Sequence, residues 1–453
     1  KAFCPQIAPH QIEAPRRESK GQKYLSVMEE GMTETEKVCF HYSMPAELCA
    51  YYLNYYPNEA RDMFGAFLKD SSIAIRHNKS RCTAETLLAS LEAEEVPYEK
   101  GLLSNTFRLG KAGNPSRLSA YQKGLFSIQD ESSALSGNIL PLRKDMCVLD
   151  LCAAPGGKTT DLAASLRQIC GASFILVANE VMKQRAGILA DNVAVWGDPN
   201  VIVTSVDPKA FAAMGSFFDM IVADVPCSGE GMFRKDEDSV DEWSLRNVEM
   251  CAARQKEILR YVWPSLKPGG IMIYSTCTYN EQENDDNLEW IAGELGGEIF
   301  TLPNDYAQFG VRDTRVGHLL KAGESLGEGQ WAGIVVKNGI RKSTGGRICA
   351  QDLKVFHPLV SGIYKGEYKG KDFVPDNDWA LSLDFDRNSY PAAEVDRQTA
   401  LKYLHRDSIS LPQAPKGYNV ICYEGLPLGF VKNLGSRCNN LLPQRRRILM
   451  DIK

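Results

Sequence analysis

A chain of 453 residues is too long for one ordinary hydrophobic core, so two to four domains are expected. A hydrophobic fraction of 44% and a charged fraction of 24% fit a globular protein, and no apolar run is long enough to cross a bilayer. The net charge of −5 argues against a polycation that binds nucleic acid through bulk charge and leaves that task to local patches. The 13 cysteines include no C-x-x-C pair, and their odd number in a large chain reads as reduced thiols in a cytosolic protein. Six scattered histidines give no metal spacing, so no metal site is expected.

Residues 1–42 are polar and weakly periodic and read as an extension of uncertain structure. Residues 43–130 mix helical stretches (Ala46–Tyr55, Ala84–Glu94) with short strand-like runs (Ser72–Ile75, Thr106–Leu109), predicting a small α+β module. From 131 to 340 strands and helices alternate. Strands are predicted at Met146–Leu151, Phe174–Ala178, Val201–Thr204, Phe218–Ala223, Ile271–Ser275 and Gly333–Val336. Helices are predicted from Gly157 to Leu166, and over Val181–Val193, Arg254–Leu266 and Glu283–Leu295. Such alternation implies an α/β domain with a mostly parallel, doubly wound sheet. Lys337–Gly346 reads as a linker, and residues 341–453 as a β-rich C-terminal module with strands such as Tyr418–Tyr423 and Leu428–Val431. Three basic stretches, Arg76–Arg81, Tyr364–Lys371 and Arg445–Arg447, each read more simply as solvated faces than as RNA contacts.

Chemistry concentrates at the strand ends. The loop Asp150-Leu151-Cys152-Ala153-Ala154-Pro155-Gly156-Gly157-Lys158-Thr159 joins a strand to a helix, and its small residues allow close approach of a ligand. It lacks the spacing of a phosphate-binding P-loop and of a dinucleotide fingerprint. An amino-acid-bearing nucleoside, S-adenosylmethionine, suits it better. Glu180 follows the second strand, where an acid holds ribose hydroxyls, and Asp207 follows the third, within reach of an adenine amino group. Either acid can instead be a helix cap, and Lys158 and Arg185 can be plain surface charges. Cys227 and Cys277 each follow an apolar run, which suggests covalent attack on an electron-poor carbon. Two buried structural cysteines are the bland alternative.

The segments DLCAAPGGKT (150–159), ANE (178–180), DVPCSGEGMFRKD (224–236) and YSTCTYNEQEND (274–285), in this order, resemble the RNA cytosine-C5 methyltransferases. QDESSAL (129–135) and GEGQWAGIVV (327–336) are similar to segments flanking the core of that family. The EGMFRKD continuation resembles the F type among bacterial methyltransferases of ribosomal small-subunit RNA, and residues 414–443 look like its PUA-like, RNA-binding module. Two features depart from the pattern: residues 1–42 match nothing in it, and TSVDP (204–208) keeps the acid without the usual Asn-His.

The resemblance implies a Rossmann-like methyltransferase core that uses S-adenosylmethionine to methylate C5 of cytosine in RNA, 16S rRNA above all. It implies Cys277 as the nucleophile at C6, Cys227 in product release, Asp224 on the amino edge and N3 of the base, and Lys158 near developing negative charge. Cofactor contacts are implied for Cys152, Ala153, Ala154, Pro155, Gly156, Gly157, Lys158, Glu180, Arg185, Asp207 and Asp224. The expected partner is RNA, naked or within the small ribosomal particle, with no DNA or membrane, and the protein is expected to be a cytoplasmic monomer. A tRNA cytosine-C5 methyltransferase and an inactive RNA-binding assembly factor stand as alternatives; the inactive form would be expected to lack Cys277, Asp224 or the glycine loop.

Overall fold

Thr33 opens the first helix of the described chain. The computed structural model describes residues 32–110, 113–137, 142–303, 305–324, 327–340 and 356–449. Helix α1 spans Glu34–Tyr42 and α2 spans Ala46–Tyr55. The Thr33 hydroxyl accepts the Glu36 N–H while the Glu36 carboxylate accepts the Thr33 N–H, a reciprocal cap. The expected extension of uncertain structure is therefore helical from residue 34, and its residues 1–31 lie outside the described residues. Contacts divide the chain into one unit ending at Arg61 and a second beginning at Asp62, so the division falls inside the predicted 43–130 module. In the first unit Val38, Leu48, Cys49 and Tyr52 are buried.

The second unit contains an antiparallel sheet of β1 (Ile73–His77), β2 (Tyr98–Lys100), β3 (Thr106–Leu109) and β4 (Phe126–Ile128), ordered β2-β3-β1-β4. Helix α3 (Ala84–Ala93) contributes Leu87 and Leu91 to a core with Ile75, Phe107 and Phe126. Here the basic stretch 76–81 departs from its reading as a solvated face. Arg76 is 0% exposed, because β1 lies inside its sheet. Its guanidinium donates to Gln129 Oε1 (2.6 Å) and Thr160 Oγ1 (2.8 Å) and faces Asp161 at 3.4 Å. A buried guanidinium needs partners of this kind, and here Nη1 is left without one. These bonds tie β1 to the helix after the glycine loop.

The large sheet follows in order through β5 (Cys147–Asp150), α4 (Gly157–Cys170), β6 (Ile175–Asn179), α5 (Lys183–Trp196), β7 (Val201–Thr204), β8 (Phe218–Asp224), α6 (Leu245–Val262), β9 (Leu266–Thr276) and α7 (Asp285–Leu295). Five strands pair in parallel as β7-β6-β5-β8-β9. Consecutive residues Met220, Ile221, Val222 and Ala223 are all buried, as a strand covered on both faces requires. The chain moves outward from β5 to β7, then returns to β8 on the other side of β5. That reversal leaves a crevice beyond the carboxyl ends of β5 and β8, the ligand position of doubly wound sheets.

Past β9 the sheet turns antiparallel. It adds β10 (Gly297–Ile299), β11 (Arg312–Asp313), β12 (His318–Lys321) and β13 (Gly329–Lys337), with β13 paired to β9. α6 begins at Leu245, ahead of the predicted Arg254, because the Ser244 hydroxyl caps it by accepting the Asn247 N–H. It stops at Val262; Leu266, predicted as its end, already starts β9. Lys337, predicted to open a linker, closes β13, and its amine donates to the Trp263 and Leu266 carbonyls at 2.8 Å each. Residues 341–346 of that linker lie outside the described residues.

The C-terminal part is fastened to this core. Strand β14 (Val360–Ser361) pairs with β7. The hairpin β15 (Gly366–Lys369)–β16 (Asp372–Pro375) follows. Strands β17 (Ala392–Glu394), β18 (Gly417–Tyr423), β19 (Leu426–Asn433) and β20 (Cys438–Asn440) form a second sheet, with helix α8 (Arg397–His405) adding Leu401, Tyr403 and Leu404 to its core. Gly197, which ends α5 at φ 86°, accepts the Leu383 N–H, and a Cβ there would strike the Leu381 carbonyl. The 445–447 run is not a free patch, since each arginine meets a fixed partner. Arg445 reaches Asp191 at 2.6 Å, Arg446 pairs with Asp378, and Arg447 approaches His405. The hairpin is the stretch that stays outside: Tyr368 is 75% exposed and packs edge-on against Phe373.

Candidate active site

Two loops deliver the cysteines. β8 ends at Asp224 and β9 at Thr276, neighbours in parallel register with Asp224 opposite Ser275. Each loop then turns back beside the other, and Cys227 Sγ lies 3.0 Å from Cys277 Sγ. The Gly231 N–H donates to the Cys277 carbonyl at 2.7 Å, and the Ser228 and Thr278 hydroxyls pair at 2.9 Å. A Cβ on Gly231 would come within 2.8 Å of that carbonyl, so the glycine permits the approach. Contact with Cys277, burial and the nearby Glu283 charge all push the Cys227 thiol well above the ordinary thiol range.

Beneath the cysteines runs a buried polar network. Glu283 accepts from the Ser228 N–H (3.1 Å), Asn280 Nδ2 (2.9 Å) and Gln255 Nε2 (2.7 Å). Glu230 accepts from the Tyr279 N–H (2.6 Å) and Trp243 Nε1 (3.1 Å). Burial pushes the Glu283 carboxyl up to about 7 and raises that of Glu230. Both are buried acids whose oxygens are largely claimed by donors, which is what such burial demands.

Asp224 faces the same space. Its Oδ1 accepts from Ser275 Oγ (2.7 Å) and Gln330 Nε2 (3.0 Å), and its Oδ2 lies 3.0 Å from Lys158 Nζ. Lys158 also donates to Ser133 Oγ at 2.7 Å. The first turn of α4 thus brings an ammonium to the end of β8, and the antiparallel β13 brings an amide.

On the other side of Leu151 and Cys152 opens a cavity of about 200 Å³. Glu180, Arg185 and Asp207 line it, with Leu151, Cys152 and Asn179. Pro226, Ile258 and Tyr261 close it from the β8 loop and α6. Glu180 Oε1 accepts the Met182 N–H, and Oε2 is 3.3 Å from Arg185. Asp207 caps the turn that follows it by accepting the Lys209 N–H, so the capping alternative and a place at the cavity hold together. Asn179 ties three strand ends, donating to the Leu151 and Val206 carbonyls and accepting from Thr204 Oγ1. Of the glycine loop, Cys152 lines the cavity. Ala153–Gly157 do not line it: the Ala153 N–H bonds the Asn179 carbonyl, the Ala154 carbonyl accepts from Arg185, and the Pro155 carbonyl accepts from Asn192. Burial, with Glu180 close by, raises the Cys152 thiol.

Asp150 is the acid at this edge that the sequence motif contains without a role assigned to it. Its Oδ2 accepts from Thr159 Oγ1 at 2.6 Å, and its Oδ1 is buried with no hydrogen-bond partner. Burial pushes its carboxyl up to about 7. Among the described residues no cluster of three or more His, Cys, Asp or Glu can hold a metal ion, and no helix is long and apolar enough to cross a membrane.

Residues 138–293 match the family described as 16S rRNA methyltransferase RsmB/F, and residues 390–448 match the methyltransferase RsmF PUA domain. A ribosomal RNA small subunit methyltransferase F from Serratia proteamaculans is 30% identical over 412 residues, 78% of this chain and 83% of the relative. That from Aeromonas salmonicida is 30% identical over 71% of this chain and 78% of the relative. The chain belongs to the ribosomal RNA small subunit methyltransferase F family. A family member from Pectobacterium atrosepticum is 41% identical over a shorter span, 38% of this chain and 35% of the relative.

Solved structures agree on the fold. A methyltransferase homologue from Pyrococcus horikoshii superposes with a TM-score of 0.57 at 22% identity, covering 68% of this chain and 99% of that one. NSun6 from the same organism, solved with SFG, gives 0.57 at 19% identity, covering 65% and 99%. The family brings a Rossmann-like methyltransferase core and a PUA domain. The C-terminal sheet and α8 fall within the PUA match.

Proposed function

We propose that this protein transfers a methyl group from S-adenosylmethionine to C5 of a cytosine in RNA, most specifically 16S rRNA, through a covalent bond between Cys277 and C6. The observation that carries the reading is the pair of sulfurs at 3.0 Å beside the Asp224–Lys158 ion pair. Membership in a family named for small-subunit ribosomal RNA supports the choice of substrate.

The cavity residues fit the cofactor. Glu180 and Asp207 supply acceptors for hydroxyl and amino donors, while Leu151, Pro226, Ile258 and Tyr261 offer apolar surface to a flat ring. The orphaned Asp150 Oδ1 adds an acceptor still lacking a donor. When bound, the cofactor supplies an electrophilic methyl group.

The chain's own residues prepare the base. Asp224 holds the amino edge and N3, which favours a protonated ring and draws electrons from C6. Cys277 adds to C6, C5 becomes enamine-like, and the methyl group arrives there. Lys158 stands where negative charge develops. Solvent takes the C5 proton, the freed pair restores the C5–C6 double bond as the C6–S bond breaks, and the Cys277 sulfur takes a proton from Cys227, which solvent then resupplies. The base must be unpaired or flipped to enter, and the PUA domain with the exposed hairpin positions the RNA mainly through phosphate and shape contacts. Purified protein, S-adenosylmethionine and 16S rRNA test the reading by bisulfite sequencing, with tRNA assayed alongside. New protected cytosines are expected in 16S rRNA; protection only in tRNA, or none, would overturn it.

A further inference from the structure

We propose that Glu283 is a positioning residue that gives the two sulfurs their different tasks: its buried carboxylate grips the Cys227 loop and holds negative charge against that thiol, keeping Cys227 neutral while Cys277 attacks. This rests on the reading above, and it answers a question that reading leaves open. Two thiols in contact at equivalent strand ends are chemically alike, and something in their surroundings must tell them apart.

The surroundings differ on the side of Cys227. Glu283 accepts the N–H of Ser228, the residue after Cys227. Gln255 donates through the same Nε2 to Glu283 (2.7 Å) and to the carbonyl of Pro226, the residue before it (2.9 Å). One carboxylate therefore fixes the backbone on both flanks of Cys227. The grip is itself braced, since the Tyr274 hydroxyl donates to Gln255 Oε1 and Asn287 bonds the same atom. The charged and titratable groups facing this corner are Tyr274 from β9, Cys277 just beyond it, Cys251 and Arg254 from α6, and Glu230 from the turn after β8. Arg254 is exposed, and the others are neutral or negative, so among these described residues no buried cation cancels the charge of Glu283. Buried charges act strongly because little water screens them. With its carboxyl near 7, Glu283 is anionic over the range where thiols ionise. Its charge opposes a second negative charge on Cys227, and a neutral Cys227 keeps a proton to give when the C6–S bond breaks.

The test uses full-length protein carrying Cys277→Ala, with no RNA or cofactor, so its outcome is independent of the methylation reading. Iodoacetamide alkylation of Cys227 is followed by peptide mass spectrometry across the thiol titration range. Glu283→Gln should move the alkylation midpoint down by about one pH unit, because one like charge is removed. Glu283→Asp, which keeps the charge, should restore the parent midpoint. A role confined to holding the loop would shift both variants alike, and that result, or no shift in either, overturns the proposal. Should Glu283→Gln fail to fold, the parent Cys277→Ala protein decides. Its rate should rise less steeply above about pH 7, where Glu283 becomes charged, than below. A single unbroken titration of Cys227 overturns the proposal.

Discussion

The two sides of the crevice are built on opposite principles. Under β5, β6 and β7 the acids are more loosely held: Asp150 Oδ1 is unpartnered, Asp207 gives one oxygen to a backbone N–H, and Glu180 gives one to a backbone N–H and the other to the exposed Arg185. Under β8 and β9 the acids are claimed on every side, Glu283 by three groups and Asp224 by three. The open side waits for donors from a ligand. The closed side is preorganised, so its chemistry depends on bonds already made. Substitutions on the open side should remove one contact each, whereas those on the closed side should disturb the whole unit.

The sharpest break comes at the sulfurs. Cys277→Ser should abolish methylation and give no covalent RNA complex, while Cys227→Ser should accumulate an adduct that survives denaturing electrophoresis. An adduct in Cys277→Ser instead would exchange their roles. On the open side, Glu180→Ala should weaken S-adenosylmethionine binding by about 10- to 100-fold in calorimetry, the range for losing a charged hydrogen bond. Asp207→Ala should add a comparable loss, and undiminished affinity in the double variant would remove the cofactor from this cavity.

The pH dependence of stability samples both sides at once. Burial holds Asp150 and Glu283 at about 7, above their unfolded values. The folded chain then binds more protons than the unfolded chain in that window. Their contribution is fully present below about pH 4 and is lost as pH rises towards 7. Asp150→Asn or Glu283→Gln should flatten the fall in Tm between about pH 5 and 7 relative to the parent, and an unchanged slope would place these carboxyls in the ordinary range. The smallest effect belongs to the exposed hairpin. Lys371→Ala should lower RNA affinity only a few-fold and reduce the salt slope by about one. A truncation at residue 341 would be a poor substitute, because it strips β14 from β7 and breaks the Lys123–Glu424 pair.

The parallel core was legible because each strand is a continuous apolar run and each helix repeats an apolar stripe. The candidate site residues could be singled out because they sit in contiguous motifs at strand ends, and the structure brings Cys227 beside Cys277 and Lys158 beside Asp224. What escaped the reading is assembled from far apart. Gln255 belongs to α6, Glu283 to the loop before α7 and Gln330 to an antiparallel strand, and no local pattern announces their meeting. Ile258 and Tyr261 close the cavity from the later turns of α6, a helix that starts earlier than its periodicity implied. Composition misled at Arg76 and Arg446, since a charged side chain carries no mark of the partners that will bury it, whereas Arg445 stays exposed as read. The Thr33–Glu36 cap was written plainly and passed over among weakly periodic neighbours.

Asp224 carries a consequence for which base is accepted. Ser275 and Gln330 hold one of its oxygens and Lys158 the other, three donors for about four lone pairs. On the proposed reading, a base that brings two donors finds one free place on Oδ2 and must take over the place of Gln330 or Lys158 for the second, returning an equivalent donor. Cytosine protonated at N3 offers two donors side by side and makes the exchange even. Uracil carries a carbonyl oxygen where cytosine carries its amino group, so one Asp224 oxygen would face another acceptor with its former partner displaced. On the proposed reading, the wrong base is turned away by the bonds it would break without replacing.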